Sequence, residues 1–356
     1  MIRKLLHIRS AQLGMAIIGL TLVAALAGYL ITPDSTRDCN DMMPQAANLP
    51  PGTKIRFLRI KPVRNPEQTF YTFFVGVENP GTPVVFTDTL IEKTGQDSIC
   101  VHPVNGFGQQ CYAKTDLVKS GKTEYLFHRT FLLGSDRFGR DVFSRLVLGA
   151  RVSLLVGLVS VLLSLLIGTL VGLLAGYSGG KTDAIMSWLI AVFWSIPTML
   201  IALGLSFVLG KGLWQVLLAT GLSTWVEVAR VVRGQTMQLR NKEFVLAARI
   251  SGFSSFRIMF RHILPNLKGS LTVLATTNFA SAILLEAGLS FLGLGVAPPV
   301  PSWGIMVKEH LGNLVLDSAW LALIPGFAIM LLVMGFNLLS MGMRDALDTR
   351  LTTVQA

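Results

Sequence analysis

VSLLVGLVSVLLSLLIGTLVGLLAGY, residues 152–177, decides the fold class because it is long, apolar and free of charged side chains. A helix that crosses a bilayer needs about 20 mostly apolar residues to span roughly 30 Å of hydrocarbon, and a charge at its centre costs about 3 kcal/mol or more. Five further stretches share this character, although the fourth in chain order is short and ends near Glu227. We therefore predict six transmembrane helices, at about Ala11–Thr32, Val152–Tyr177, Ala184–Gly210, Gly212–Ala229, Gly269–Gly295 and Ser318–Met343.

Composition indicates the same class. Of the 356 residues, 51% are hydrophobic and only 14% are charged, and the mean hydropathy is +0.57. This apolar content exceeds what the core of a soluble protein of this size needs. The net charge of +11 does not indicate nucleic-acid binding, because the basic residues stand beside apolar runs and form no patch interleaved with aromatics. We expect an all-α integral protein of the cell inner (plasma) membrane, in contact with the lipid bilayer and not with nucleic acid.

Basic residues in short loops predict the orientation, since Lys and Arg are retained on the cytoplasmic side. The first nine residues contain three basic residues and no acid, and residues 230–268 contain eight basic residues against Glu243 alone. Four predicted helices separate these two segments, so both lie inside and both termini are cytoplasmic. The first apolar run also resembles a cleavable signal peptide around Ala25–Ala27, but it continues to Ile31, a length that favours a retained helix.

The chain divides into three predicted parts. Residues 1–32 form the cytoplasmic N-terminus and first helix, residues 33–133 an extracytoplasmic insert, and residues 134–356 a five-helix core with a cytoplasmic loop at 230–268. The insert is polar and rich in Pro and Gly, and its runs Lys54–Phe57 and Thr69–Val75 have the β-branched and aromatic content of strands. We expect a small β-rich domain there.

All three cysteines, Cys39, Cys100 and Cys111, lie in the insert. Cys100 and Cys111 can pair in an oxidising compartment, which leaves Cys39 odd. The alternative is a metal site that combines the same pair with His102 and His128, but this spacing matches no common site. We predict no metal centre and no catalytic thiol.

The cytoplasmic segment 240–265 predicts two short helices. The run from Glu243 ends at Gly252, because glycine adopts the left-handed cap most easily, and a second helix over 256–262 should stop before Pro265. Small side chains at Ala247 and Ala248 allow such a helix to lie in a groove of a partner. A solvated hairpin at the lipid headgroups is the alternative.

Motifs in this segment and elsewhere resemble a known family. The hairpin is similar to the EAA loop of binding-protein-dependent ABC importers, although the contiguous Glu-Ala-Ala is loosened here to Glu-Phe-Val-Leu-Ala-Ala. Three other segments resemble the oligopeptide and dipeptide permeases, namely Gly134–Arg145, Glu286–Gly295 and Pro298–Gly304. The first of them matches the subunit type that carries Gly-Ser/Thr-Asp-x-x-Gly-Arg-Asp before its second helix. The resemblance covers the first helix and Gly134 to about Asp348, while the insert is longer than the family's usual external loop.

The resemblance implies a six-helix permease that forms half of a translocation pathway for peptides or similar small solutes. It implies four kinds of partner: a second homologous permease, two ABC ATPase subunits, an extracytoplasmic solute-binding protein and the lipid bilayer. It also implies that the ATPases act on the bundle through the hairpin, with Glu243, Phe244, Ala247, Ala248, Gly252 and Pro265 as coupling residues. It does not identify the solute.

Helix breaks within the apolar segments predict the pathway or its gate. Non-helical backbone at membrane depth persists only against protein or a water-filled cavity, which selects Pro197, Gly293 and Gly295. The acid Glu286 lies deep in its predicted helix and either faces the cavity or bonds at a helix interface, whereas Glu227 is expected only to reach the cytoplasmic boundary. Glycines that repeat every four residues predict close helix packing, at Gly168, Gly172 and Gly176.

Charged pairs at four-residue spacing, such as Asp136 with Arg140, predict an interfacial helix over 135–151. The sequence contains no ATP-binding Gly-x-x-x-x-Gly-Lys-Ser/Thr motif and no nucleophile elbow, so we predict no enzyme activity, no cofactor and ATP hydrolysis by partner subunits. An ATP-independent secondary transporter or a membrane scaffold that presents the external domain is the alternative. A carrier would show more ionisable residues within its helices, and a scaffold would not need the capped hairpin.

Overall fold

The computed structural model describes residues 5–62, 76–78, 81–92, 97–104, 109–120, 124–315 and 318–347. Its helices are α1 (Arg9–Ile31), α2 (Val142–Ser178), α3 (Gly180–Ser195), α4 (Thr198–Leu209), α5 (Leu213–Arg240), α6 (Glu243–Ile250), α7 (Ser255–Arg257), α8 (Leu264–Phe291), α9 (Trp303–Glu309) and α10 (Trp320–Leu347). A π-helical turn, Ile258–Ile263, joins α7 to α8.

Four helical segments of the described chain are long and apolar enough to cross a membrane, namely α1, α2, the continuous stretch Ser255–Phe291, and α10. Helices α3 and α4 meet at an angle of 89°. If this bent pair is one span, it adds a fifth. Helix α5 is not among these segments, since polar side chains run along it and its second half contains Arg230, Arg233 and Arg240. The chain is thus a mostly helical membrane protein.

The predicted third span is broken by Pro197. Ile196 is extended, with φ −97° and ψ 127°, and α4 begins directly after the proline. A proline has no backbone N–H and disfavours the helical conformation of the residue before it, and with Ile196 extended the helix is interrupted here.

Helices α2 and α5 form the central pair of the bundle, and their contact is made by small residues. A Cβ atom added at Gly168, Gly172 or Gly176 would lie 2.6–2.7 Å from a backbone oxygen of α5, at Trp225, Ala229 and Arg233 respectively. The predicted close packing at these glycines is therefore confirmed. Because α2 is 37 residues long, it connects the two ends of the bundle.

A five-stranded antiparallel sheet precedes α2. Its strands are β1 (Thr53–Ile60), β2 (Thr82–Glu92), β3 (Ser98–Pro103), β4 (Gln110–Ala113) and β5 (Phe127–Phe131), in the order β4-β3-β2-β1-β5. Cys100 and Cys111 lie opposite each other on β3 and β4 and form a disulfide, a pairing that the sequence left open, while Cys39 is free and buried. The other predicted strand, Thr69–Val75, lies outside the described residues.

The predicted interfacial helix over 135–151 is wrong in its first half. Residues 135–141 form a tight turn closed by a bridge between Ser135 and Asp141, and α2 begins only at Val142. Asp141 stops the helix from extending further back because its carboxylate accepts the N–H of Ser144 at 2.8 Å as an N-cap. The turn approaches the insert so closely that a Cβ at Gly139, which has φ +73°, would overlap the carbonyl of Met43.

The prediction that the second hairpin helix stops before Pro265 is also wrong. The chain stays helical from Ser255 to Phe291. In the π-helical turn the N–H of Leu264 bonds the carbonyl of Met259, five residues back. This local change of hydrogen-bond register accommodates the missing N–H of Pro265 without ending the helix.

Candidate functional site

The hairpin at 243–262 is the first candidate site, and glycine ends its first helix as predicted. Gly252 has φ +76°, its N–H bonds the carbonyl of Arg249 at 3.0 Å, and the N–H of Phe253 bonds the carbonyl of Ala248 at 3.2 Å. This pair of bonds is a Schellman motif, which leaves few carbonyls of α6 unsatisfied. The hairpin is therefore an ordered structural element and not a loose loop.

One face of α6 packs inward and the other is open. Val245 and Ala248 are buried in an apolar cluster that includes Tyr177 of α2 and Met259 of the π-helical turn. Phe244, Leu246, Ala247 and Ile250 face outward, and Ile250 is 87% exposed. Ala248 lies three residues after Val245 and therefore on the packed face of α6, not on the open one. Its predicted coupling role stays a prediction.

The second half of the hairpin supports that surface. Ser254 accepts the N–H of Arg257 as an N-cap, at 3.4 Å, and the ring of Phe253 stacks on His262 with centroids 5.7 Å apart. Phe256 is 68% exposed beside Phe260 and extends the apolar surface. Pro265 is exposed too, on the first turn of α8.

The candidate gate residues lie in two places. Pro197 lines a cavity of about 290 Å³ between the α3–α4 break and α5, and Glu227 lines the same cavity. Gly293 and Gly295 form the turn after α8, where Gly293 has φ +85° and a Cβ at Gly295 would lie 2.5 Å from the Cα of Ser290. Neither glycine is among the residues that line the cavity at Pro197.

Glu286 is inside the subunit. Its side chain is 1% exposed, and one carboxylate oxygen accepts the hydroxyl of Ser290 at 2.6 Å. The hydroxyl of Ser302, before α9, also interacts with this carboxylate. Of the two roles considered for Glu286, the enclosed side chain and these contacts favour a hydrogen bond at a helix interface.

A buried charge cluster, Asp136, Arg140, Arg145, Glu309 and His310, joins the turn before α2 to the end of α9. Arg140 donates to Asp136 at 2.5 Å and to Glu309 at 2.8 Å, and Arg145 lies 3.6 Å from the same Glu309 carboxylate. Trp303 at the start of α9 adds a bond to the carbonyl of Leu146 at 2.8 Å. Sequence reasoning found the Asp136–Arg140 pair but missed Glu309 and His310, which no local spacing connects to it.

The buried charge cluster also meets a distance criterion for metal binding. Ligand atoms of Asp136, Glu309 and His310 all lie within 4.8 Å of one another. Arg140 already donates to both carboxylates, however, so a cation would compete with a bound guanidinium. Burial lowers the pKa of His310, and the nearby Asp136 and Glu309 offset this only in part. We assign no metal to these residues.

A second buried group of charged residues attaches the sheet to the turn at residues 135–141. Asp41 accepts from Arg59 at 2.6 Å and from Arg129 at 2.9 Å, and all three side chains are buried. Asp34 accepts the backbone N–H groups of Thr36 and Asp41, and burial raises the pKa of its carboxyl. Backbone bonds from Met43 to Phe138 and from Asn48 to Asp136 complete the attachment.

Comparison with known proteins places these features in a family. Residues 168–353 match the family model described as "Binding-protein-dependent transport system inner membrane component". The oligopeptide transport system permease protein OppC of Bacillus subtilis is 40% identical over 245 residues, which cover 69% of this chain and 79% of that protein. The dipeptide permease DppC of the same organism is 42% identical over 218 residues, 61% of this chain and 68% of that one.

Two further proteins are similar over comparable lengths. The di/tripeptide transport system permease protein DppC of Pseudomonas aeruginosa is 42% identical over 221 residues, which cover 62% of this chain and 73% of that protein. Among solved structures, a chain of the MetNI methionine ABC transporter in an inward-facing conformation is 19% identical and has a TM-score of 0.41 over 53% of this chain and 94% of that one.

Proposed function

Because the chain belongs to the family of binding-protein-dependent transport system inner membrane components, we propose that it forms half of a translocation pathway for peptides or similar small solutes. It is a permease subunit of an ABC importer in the inner membrane. Its full assembly would contain a second homologous permease, two ATPase subunits and an extracytoplasmic solute-binding protein. ATP would be hydrolysed by the ATPase subunits.

The open face of α6 is the observation that best supports coupling to an ATPase. Phe244, Leu246 and Ile250 are large apolar side chains that a hairpin outside the bundle leaves in contact with solvent. Contiguous exposed apolar surface of this kind is typical of protein interfaces. Ala247 lies on the same face and lets a partner backbone approach closely, and Glu243 begins the helix. The Gly252 cap and the exposed Pro265 would hold this surface at a fixed angle to α8.

The test is retention of the ATPase subunits when the tagged chain is purified in mild detergent. We expect Ile250→Glu to lose the ATPases, because a carboxylate would be placed in the centre of the apolar interface. Val315→Glu is the matched control, since Val315 is 92% exposed on the connection between α9 and α10 at the other end of the bundle. Equal retention by both variants would contradict the coupling role, and a wild-type chain that purifies alone would favour an ATP-independent protein.

Six crossings follow if α3 with α4 is one span and α5 is another. Residues 33–133 would then be extracytoplasmic, both termini cytoplasmic, and residues 134–356 the core with its cytoplasmic loop at 230–268. The same two positions test this topology with a membrane-impermeant thiol reagent on spheroplasts. Val315→Cys should be labelled from outside, whereas Ile250→Cys should be labelled only after lysis; the opposite pattern would invert the proposed orientation.

A further inference from the structure

Glu227 lies in the middle of α5. Helix α5 runs from Leu213 to Arg240, so at 1.5 Å per residue the carboxylate lies about 20 Å from either end. It is level with Gly168 of α2, which packs between Trp225 and Val228. Gly168 is in turn roughly 14 Å along α2 from Tyr177, whose carbonyl accepts Arg240 near the hairpin end of the bundle. By this measure Glu227 lies within the depth of the uncharged run Val152–Tyr177 of α2, and one helical turn before Arg230, where the proposed cytoplasmic loop begins.

The Glu227 carboxylate has no hydrogen bond or ion pair with any residue that the structure describes. The two nearest cations of α5 have other partners. Arg230 lies over the ring of Trp194, with 4.7 Å from the guanidinium carbon to the ring centroid, and Arg233 donates to Asp183 at 2.6 and 2.9 Å. An acid at this depth without an internal partner requires a cation or water from outside the subunit.

Glu227 opens into the 290 Å³ cavity at the helix break. The cavity is lined by Phe193, Trp194, Ile196, Pro197, Ser223 and Glu227. Non-helical backbone at this depth is stable only against protein or a water-filled space, and the Pro197 break forms one wall. The volume is at the lower limit of small-molecule sites, which suits one residue of a ligand and not a whole peptide.

The lining has the chemistry of an ammonium site. A carboxylate supplies a charge-assisted hydrogen bond to an N–H donor, and the face of an aromatic ring attracts cations within about 6 Å of its centroid. In this lining Trp194 already carries Arg230, so Phe193 is the ring that can serve this role beside Glu227. Unblocked peptides share one N–H donor of this kind, the α-amino group, which is largely protonated near neutral pH. We propose that Glu227, with Phe193, binds the protonated amino terminus of the peptide during its passage through this subunit. This assignment rests on the proposed function.

The experiment measures initial uptake rates of the assembled importer in proteoliposomes, for a free tripeptide and for the same peptide with an acetylated amino terminus. Affinity of each peptide for the solute-binding protein is measured separately and the rates are compared at equal occupancy. We expect Glu227→Gln to lower uptake of the free peptide about tenfold and to leave uptake of the acetylated peptide unchanged, with normal assembly and ATP hydrolysis. Glu227→Asp should recover part of the loss.

Glu286→Gln is the matched control, because Glu286 is also an acid inside the bundle but does not line this cavity. It should change the uptake of both peptides by the same factor. If Glu227→Gln also slows both peptides equally, the residue has a structural role and the proposal fails. Loss of the second permease from the Glu227→Gln complex would instead show that the acid pairs with a cation of that subunit. A wild type that retains no ATPase and imports neither peptide would overturn the proposed function itself, and this proposal with it.

Discussion

The two ends of the bundle differ in what they bury and expose: one buries charged side chains, and the other exposes apolar ones. At the insert end, the buried charge cluster brings Asp136, Arg140 and Glu309 together, so that opposite charges pair within one chain. At the hairpin end, α6 buries Val245 and Ala248 but leaves Phe244 and Ile250 in solvent. One end pairs its charges within the chain, and the other presents the apolar surface that the proposed ATPase would cover.

From this difference we expect the insert end to resist movement and the hairpin end to transmit movement from a bound ATPase. Removing one member of a buried ion group leaves a charge without compensation, which makes such a joint stiff. An open apolar face can move with its helix without breaking contacts. Covering it lowers the free energy, because apolar surface is removed from water. Helix α2 connects the two ends, because Asp141 caps it beside the buried charge cluster and Tyr177 packs in the apolar cluster that holds α6.

The largest effect is expected from Arg140→Met, which tests the insert end. Asp136 would remain buried without its cation, Glu309 would keep only Arg145, and the free energy of unfolding should fall by about 3–5 kcal/mol. Thermal unfolding in detergent, followed by tryptophan fluorescence, measures the loss. The control is Arg137→Met, which should change stability by less than about 0.5 kcal/mol, since Arg137 is exposed and lies over the face of Phe138. Similar losses in both variants would contradict the role assigned to the buried charge cluster.

The next effect separates packing from docking at the hairpin end. Ala248→Glu should lower the free energy of unfolding by about 2–4 kcal/mol, because its carboxylate would enter the apolar cluster, where Ala248 is only 5% exposed. Ala247→Glu lies one residue away on the open face and should leave thermal unfolding unchanged while it weakens ATPase retention. Both quantities are measured on the same detergent preparations. If Ala247→Glu destabilises the chain as much as Ala248→Glu, the two faces of α6 are assigned wrongly.

The smallest effect is a pH dependence of the insert end. Burial lowers the pKa of His310 in the folded protein, so the folded state favours the neutral imidazole. The stability that His310 contributes is therefore present above the unfolded pKa of about 6.5 and is lost as pH falls below that value. Unfolding temperatures between pH 7.5 and 5 should decrease in the wild type and decrease less in His310→Gln. His7→Gln, at an exposed position, should follow the wild type; a pH slope of His310→Gln equal to that of the wild type would exclude His310 as the cause.

Several elements were predictable because their causes are local. Apolar runs indicated α1, α2, α8 and α10, the missing N–H of Pro197 indicated the break between α3 and α4, and the absent Cβ of Gly252 indicated the end of α6. The same local rule failed at Pro265, because a π-helical turn changed the hydrogen-bond register just before it. It failed again at 135–141, where four-residue spacing of charges suggested a helix but a tight turn makes the Asp136–Arg140 pair.

The candidate sites were predictable only in part. Ala247 and Ala248 are identical in type, and only the packing of Val245 and Ala248 against Tyr177 and Met259 decides which alanine lies on the open face. Glu286 is enclosed, which was one of its two expected positions, whereas the cavity at Glu227 was not expected. Neither result follows from the hydropathy of the surrounding residues.

By itself the sequence determined that this chain is a helical membrane protein, where most of its helices lie, which family it resembles and where prolines and glycines interrupt it. These are properties of short segments, set by apolar length, by a missing N–H or by a missing Cβ. Only the tertiary structure decided that Arg140 meets Glu309, 169 positions away, and that Glu227 has no partner among the described residues. Such pairings depend on how distant helices pack, and the free energy of a buried charge depends on what surrounds it and not on its neighbours in the chain.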